Sequence, residues 1–181
     1  MARTLVILAD GCEEIEAVTV MDILRRGGVE VVAAALAGQM VHGNHGIGIE
    51  ADASLDPVLE QSFDMLILPG GEPGASHLAA DSRVQYLLKE FEKAGLYIAA
   101  ICAAPGVLAE AGLLRGRKAT SFPDAIKDPS GITYLQSAVV RDGKIATSRG
   151  PGTALDFALE LLELLAGGEV RKRVEARLQR P

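Results

Sequence analysis

Tryptophan is absent from the chain, and aromatic residues of all kinds make up only 4% of it. The core of a 181-residue protein must then rest on Ala, Leu, Val and Ile, which suits helices packed on a parallel sheet better than a sandwich or barrel. Cysteine is scarce as well. Cys12 and Cys102 make neither a disulfide framework nor a zinc-ligand spacing, and they fit a reducing compartment. Histidine occurs only at 42, 45 and 77. None follows Cys102 in sequence and no Ser-His-Asp order is evident. His42 and His45 have a spacing two metal ligands could use, but without a carboxylate or cysteine cluster they read as parts of an exposed hairpin, so no metal is expected. There is no GxGxxG after the first apolar run and no GxxxxGK[ST], which disfavours dinucleotide and nucleoside triphosphate binding. No cofactor is expected. No apolar stretch approaches the length of a membrane span, and the opening run Leu5–Ala9 is too short for a signal peptide. The net charge of −6 argues against a nucleic-acid-binding surface. The two basic clusters, Arg115–Lys118 and Arg171–Arg173, read as a solvated loop and a solvated helix end. A soluble, cytoplasmic protein follows.

What is present is an alternation of apolar runs with helical periods, without linker, repeat or low-complexity segment, so one domain over residues 1–181 is expected. Leu5–Ala9 reads as a strand and Glu13–Arg26 as a helix closed by Gly27-Gly28. With Glu30–Leu36 as the next strand these form a βαβ unit, hence a parallel pair. Met40–Glu50 reads as a hairpin or excursion at a sheet edge. Met65–Leu68 is a buried strand ending in Pro69-Gly70-Gly71. Ser82–Ala94 is an amphipathic helix, and Leu96–Ile101 a buried strand. Lys118–Ser121, Ser137–Arg141 and Lys144–Thr147 are shorter strands, the last two joined by Asp142-Gly143 in a hairpin turn. Thr153–Ala166 is a long helix, with a charged helix after Gly167-Gly168. The pattern is α/β, a doubly wound sheet with helices on both faces. In such sheets working residues collect beyond the carboxyl ends of the strands, which gathers four loops: Asp10–Glu14, Pro69–Gly74, Cys102–Pro105 and Arg149–Gly152.

Cys102 sits where the run Leu96–Ile101 stops and a helix-like stretch opens, with Pro105 suited to its first turn. A cysteine on such a strand-to-helix turn has the placement of a nucleophile elbow, and the helix N-terminus is expected to lower its thiol pKa. A buried cysteine acting as a small hydrophobe is the competing reading of the same segment. Glu16 lies one turn into the first helix, flanked by Ile15, Ala17 and Val18. If it faces inward beside the thiol, burial and like charge raise its pKa, so that it can hold and pass a proton; a solvated glutamate fits the spacing equally well. Glu13 and Glu14 read as exposed acidic residues at a helix start. The amides of Gly70 and Gly71 can approach a ligand or stabilise an oxyanion, or simply make a tight turn. Gly150-Pro151-Gly152-Thr153 ahead of a helix is a candidate anion site.

Taken in order, Leu5–Ala9, Glu13–Val18, Leu68–Gly71, Ala99–Pro105 and Thr147–Thr153 resemble the DJ/PfpI (ThiJ) superfamily over nearly the whole chain, in the clade of the Parkinson-disease-associated deglycase and its bacterial YajL-like relatives. The resemblance implies a flavodoxin-like fold and a homodimer. It implies that Cys102 is the oxidisable nucleophile, Glu16 its protonated partner, and Gly71 and Ala103 the backbone N–H donors around the sulfur. His45 falls near the position from which the family sends a residue, typically arginine in the animal branch, across the dimer interface. Phe122 stands where that branch has histidine, so no imidazole comes from that position. Ala103 directly after the cysteine, where the superfamily's proteases have histidine, disfavours a peptidase. The implied activity is cofactor-free conversion of methylglyoxal to lactate (glyoxalase III) or deglycation of its adducts, in oxidative and carbonyl stress defence. The competing implication is a non-enzymatic oxidative-stress sensor or redox-regulated chaperone using the same cysteine. Cys12, in the first loop, reads as a passive thiol.

Overall fold

The computed structural model describes residues 1–180. In chain order its elements are β1 (Arg3–Leu8), α1 (Glu14–Arg26), β2 (Glu30–Ala35), β3 (Met40–His42), β4 (Gly48–Glu50), β5 (Ala53–Ser54), β6 (Met65–Leu68), α2 (Gly74–Ala80), α3 (Ser82–Lys93), β7 (Tyr97–Ile101), α4 (Ala104–Glu110), β8 (Lys118–Ala119), β9 (Thr133–Tyr134), β10 (Val139–Asp142), β11 (Ile145–Ser148), α5 (Ala154–Ala166) and α6 (Gly168–Ala176). The central sheet runs β5-β2-β1-β6-β7-β11-β10. Every neighbouring pair in it is parallel except β10 with β11. This is the flavodoxin-like, mostly parallel doubly wound sheet expected from the alternation of strand and helix patterns.

The near-continuous apolar strands follow from burial on both faces. Along β1, Val6 and Leu8 enter one core cluster with Val20, Leu24, Phe157 and Leu161 of α1 and α5. Leu5 and Ile7 point the other way, into a cluster with Leu78, Leu88 and Leu108 of α2, α3 and α4. Helices thus cover both faces, and no helix among the described residues is long and apolar enough to cross a membrane.

The chain winds from β1 to β2 on one side and then returns to place β6 on the other. That reversal opens a crevice beyond the carboxyl ends of β1 and β6, with β7 next in line. The departures from the sequence reading are local. The Lys118–Ser121 strand shrinks to Lys118–Ala119 and leaves the central sheet to pair with β9. Helix α2, with the composition GASHLAA, has too short a period to be read from sequence. The hairpin read from Met40–Glu50 is present as β3–β4, in a two-stranded ribbon of its own that folds over the first loop, where Gly11 N–H donates to His42 O at 2.7 Å and Asn44 N–H to Cys12 O at 2.9 Å.

Candidate active site

Glu13 starts the site by ending the loop after β1. As the N-cap of α1 it accepts a hydrogen bond from Glu16 N–H at 2.9 Å, which fixes the first turn. On that turn the hydropathy is inverted: Glu16 is fully buried while its neighbours Ile15 and Val18 are 56% and 46% exposed. Glu16 Oε2 accepts from Gly70 N–H at 2.8 Å. Its Oε1 is buried without a hydrogen-bond partner, and the group with which the carboxyl is coupled is the Cys102 thiol.

Cys102 lies between β7 and α4 with φ of +64°, a left-handed conformation that a side chain adopts at a cost of about 1–3 kcal/mol. Two backbone bonds hold it there. Its N–H donates to Ser148 O at 3.0 Å, and its carbonyl accepts from Phe122 N–H at 2.9 Å. The backbone N–H groups of Gly71 and Ala103 both act on the sulfur and favour its ionised form. Glycine is required opposite. A Cβ on Gly70 would stand 2.6 Å from Cys102 Cβ and 2.7 Å from Ile101 O, and Gly71 has φ of +85° with Glu13 N only 2.4 Å from where its Cβ would be. The sulfur-bearing residue keeps 7% exposure.

Burial raises the Glu16 pKa to about 7, against the opposing hydrogen bonds from Cys102 and Gly70. The thiol corrects a sequence expectation. Burial pushes Cys102 up to about 12, with the charge and hydrogen bond of the Glu16 carboxylate adding to it, and the Gly71 and Ala103 amides pull down by less. Desolvation outweighs the lowering expected from the helix start, and α4 itself is only seven residues long. Two of the three raising causes belong to ionised Glu16, so they vanish whenever Glu16 carries the proton. The two groups therefore titrate as a pair that holds one proton across a wide neutral-to-alkaline window.

Glu13 and Glu14 also correct the sequence reading, since both are buried, at 4% and 5% exposure. Glu14 Oε1 accepts from His45 N–H at 2.8 Å and Ile47 N–H at 3.3 Å, and its Oε2 lies 3.1 Å from His45 Nδ1. Burial alone would raise its pKa, but its own backbone N–H and these donors from the hairpin win and hold it at about 2. Within the chain, then, His45 anchors the hairpin to α1. Glu13, Glu14 and His45 have donor atoms within 4.8 Å of one another, the carboxylate company the sequence had not disclosed for His45. Their oxygens already cap the helix and hold the hairpin, and the positive end of α1 opposes a cation there.

Cys12 is buried and its thiol is pushed up to about 11, first by burial and then by the Glu14 charge, so it stays protonated at neutral pH. The Gly150–Thr153 turn satisfies itself: Gly150 N–H donates to Thr153 Oγ1 at 3.1 Å, and Ser148 Oγ and Thr153 Oγ1 share a bond of 2.7 Å. A cavity of about 380 Å³ beside the first loop, lined by Leu8, Asp10, Leu36, Val41 and His77, includes neither Cys102 nor Glu16. Sequence reasoning missed the cap at Glu13 and the Ser148 carbonyl that restrains Cys102. The first carried a signal, an acidic residue three positions before Glu16, whereas a backbone contact made across strands carries none.

Comparison with known proteins places this arrangement. Protein dj-1beta of Drosophila melanogaster is 44% identical over 168 residues, covering 91% of this chain and 90% of the relative. Its crystal structure superposes with a TM-score of 0.93, covering 98% of this chain and 97% of that one. The oxidised DJ-1 of Toxoplasma gondii, 38% identical, gives 0.94 over 98% of both chains. The glutathione-independent glyoxalase DJR-1.2 of Caenorhabditis elegans is 39% identical over 163 residues, 88% of this chain and 86% of the relative. The model of the DJ-1/PfpI family matches residues 2–164, a span that holds both Glu16 and Cys102 on their turns. By that match and these identities, the chain belongs to the DJ-1/PfpI family.

Proposed function

We propose that the protein is a cofactor-independent glyoxalase acting on methylglyoxal or a related small aldehyde, or on its adducts. The observation that carries this reading is the fully buried Glu16 carboxyl, raised to about 7 and hydrogen-bonded to a cysteine held at positive φ. A carboxyl poised near neutrality can both take and return a proton. The sulfur of Cys102 adds to the aldehyde carbon, and the thiol proton passes through Glu16 to the aldehyde oxygen, giving a hemithioacetal. The N–H groups of Gly71 and Ala103 stabilise the developing oxyanion. Glu16 then removes the C1 proton, the C2 carbonyl gains one, and the resulting enediol collapses to a 2-hydroxy thioester. Water cleaves the C–S bond, releasing lactate and restoring the thiol, so aldehyde plus water balances lactate. The glyoxalase name of the Caenorhabditis elegans relative supports the reading.

The pH dependence follows from the pair. Below about pH 7 both groups are protonated and no nucleophile forms; as pH rises through that value one proton leaves. We expect kcat/KM for methylglyoxal to rise with a midpoint near pH 7 and to stay high to at least pH 8.5. A profile flat from pH 5.5 to 8.5 would remove the pair from the mechanism.

A sensor reading is favoured by one observation, that a DJ-1 relative has been solved in an oxidised form. Peroxide would oxidise the Cys102 sulfur stepwise to sulfinic acid, which protonated Glu16 and the two amides could hold. Rapid peroxide oxidation without any aldehyde turnover would decide for it.

We also propose a homodimer. Ile15 and Val18 on α1 and Met40 and Ile47 at the β3–β4 hairpin are each about half exposed or more, an apolar set that a second copy would cover. His45, 68% exposed at its side chain, lies in the same ribbon and is the residue we assign to the neighbour's site mouth. Ile15→Glu with Val18→Lys should give a monomer by light scattering; an unchanged dimer would place the interface elsewhere.

A further inference from the structure

Arg149 lies between two residues already tied to the nucleophile. Ser148 O accepts from Cys102 N–H, and a Cβ on Gly150 would stand 4.0 Å from Cys102 Sγ. Arg149 itself lines a cavity of about 350 Å³ together with Ser121, Asp124, Ile126, Tyr134 and Gln136. Among the described residues its guanidinium makes one hydrogen bond, Nη1 to Gln136 O at 3.3 Å. It forms no ion pair among the described residues, Asp124 in the same cavity included. Tyr134 has its hydroxyl committed to Ser121 O at 3.1 Å and so offers the cavity a ring wall. Neither Cys102 nor Glu16 lines this cavity; Phe122 stands between it and the turn that carries the sulfur. It donates to Cys102 O, its ring packs toward Gly150, and its neighbours Ser121 and Pro123 both line the cavity.

We propose that this cavity is a subsite for the end of the substrate remote from the reacting carbon, and that Arg149 selects substrates bearing a carboxylate there. The proposal rests on Cys102 as the nucleophile. Since Cys102 does not line the cavity, a three-carbon aldehyde bound to the sulfur would leave it unfilled, and only an aldehyde several bonds longer would extend to it. Arginine suits the role because its planar fork pairs with a carboxylate through two parallel N–H···O bonds, and this guanidinium has donors to spare.

The test needs no turnover. Alkylation of Cys102 by 3-maleimidopropionate, whose carboxylate is several bonds from the reacting carbon, is compared with alkylation by neutral N-ethylmaleimide, both followed by mass spectrometry. Arg149→Gln should lower the ratio of the two rates about 10-fold, the loss expected of one charge-assisted contact. Arg149→Lys should restore part of it, and Arg141→Gln, at an exposed edge-strand cation, should leave it in place. A ratio unchanged in Arg149→Gln, or lowered equally by Arg141→Gln, overturns the subsite. Methylglyoxal turnover is measured alongside. A lowered maleimide ratio in a protein without turnover keeps the subsite and rejects the glyoxalase; turnover with an unchanged ratio does the reverse.

Discussion

Cys102→Ser is expected to abolish lactate formation from methylglyoxal in the absence of glutathione and added metal, and Glu16→Gln to slow it by roughly 10²–10⁴-fold, the usual range for removing a positioned acid–base group. Serine keeps the size and the positive-φ turn but is a far weaker nucleophile at neutral pH, so the first covalent bond does not form. Glutamine keeps the hydrogen bond from Gly70 N–H and the volume at a fully buried position, but it can neither accept the C1 proton nor return it. The two variants fail at different steps. Cys102→Ser should form no covalent adduct, whereas Glu16→Gln, whose thiol must lose its proton to water instead, should form the hemithioacetal slowly and go no further, visible as added mass on the Cys102 peptide after long incubation. Full turnover in either variant would sink the mechanism, and turnover lost in both without an adduct in Glu16→Gln would confine the role of Glu16 to thiol activation.

Much of this site was legible because it depends on short-range pattern. The apolar runs Leu5–Ala9, Met65–Leu68 and Leu96–Ile101 each end within a residue of an observed strand, since strands buried on both faces leave no alternation to confuse the reading. The doubly wound order then brings the loops after them together. What escaped depends on contacts across the chain. Nothing near Glu14 announces that His45 and Ile47, more than thirty positions away, will supply its donors and allow its burial. The direction of the Cys102 pKa failed for the same reason. A helix start is visible in sequence, but the desolvation that overrides it is created by Gly70, Glu16 and Gly150 closing around Cys102. The exposure of Ile15 and Val18 on either side of a buried glutamate reverses any reading by hydropathy, and it marks α1 as serving two surfaces at once.

That inversion has a measurable cost in stability. The Glu16 pKa stands at about 7 in the folded chain against an ordinary value of 4.5. Below pH 4.5 the carboxyl is neutral in both folded and unfolded states, and no penalty arises. Between 4.5 and 7 the unfolded chain ionises while the folded chain does not, so the unfolded state binds fewer protons and stability falls as pH rises. At about 1.4 kcal/mol per pH unit the loss reaches about 3.5 kcal/mol at most and is constant above pH 7. Glu16→Gln removes the ionisation and should therefore be more stable than the parent at pH 8 by up to about 3.5 kcal/mol, a rise in Tm of roughly 7–14 °C for a chain of this length. At pH 4.5 the two should unfold together to within about 1 kcal/mol, the worth of an ordinary hydrogen bond exchanged on substitution. The comparison is made by urea unfolding or calorimetry at both pH values. A stability difference independent of pH would mean that Glu16 is not held protonated by burial. The same substitution that disables turnover would thus strengthen the fold, as expected where a buried carboxyl is kept for its proton rather than for its packing.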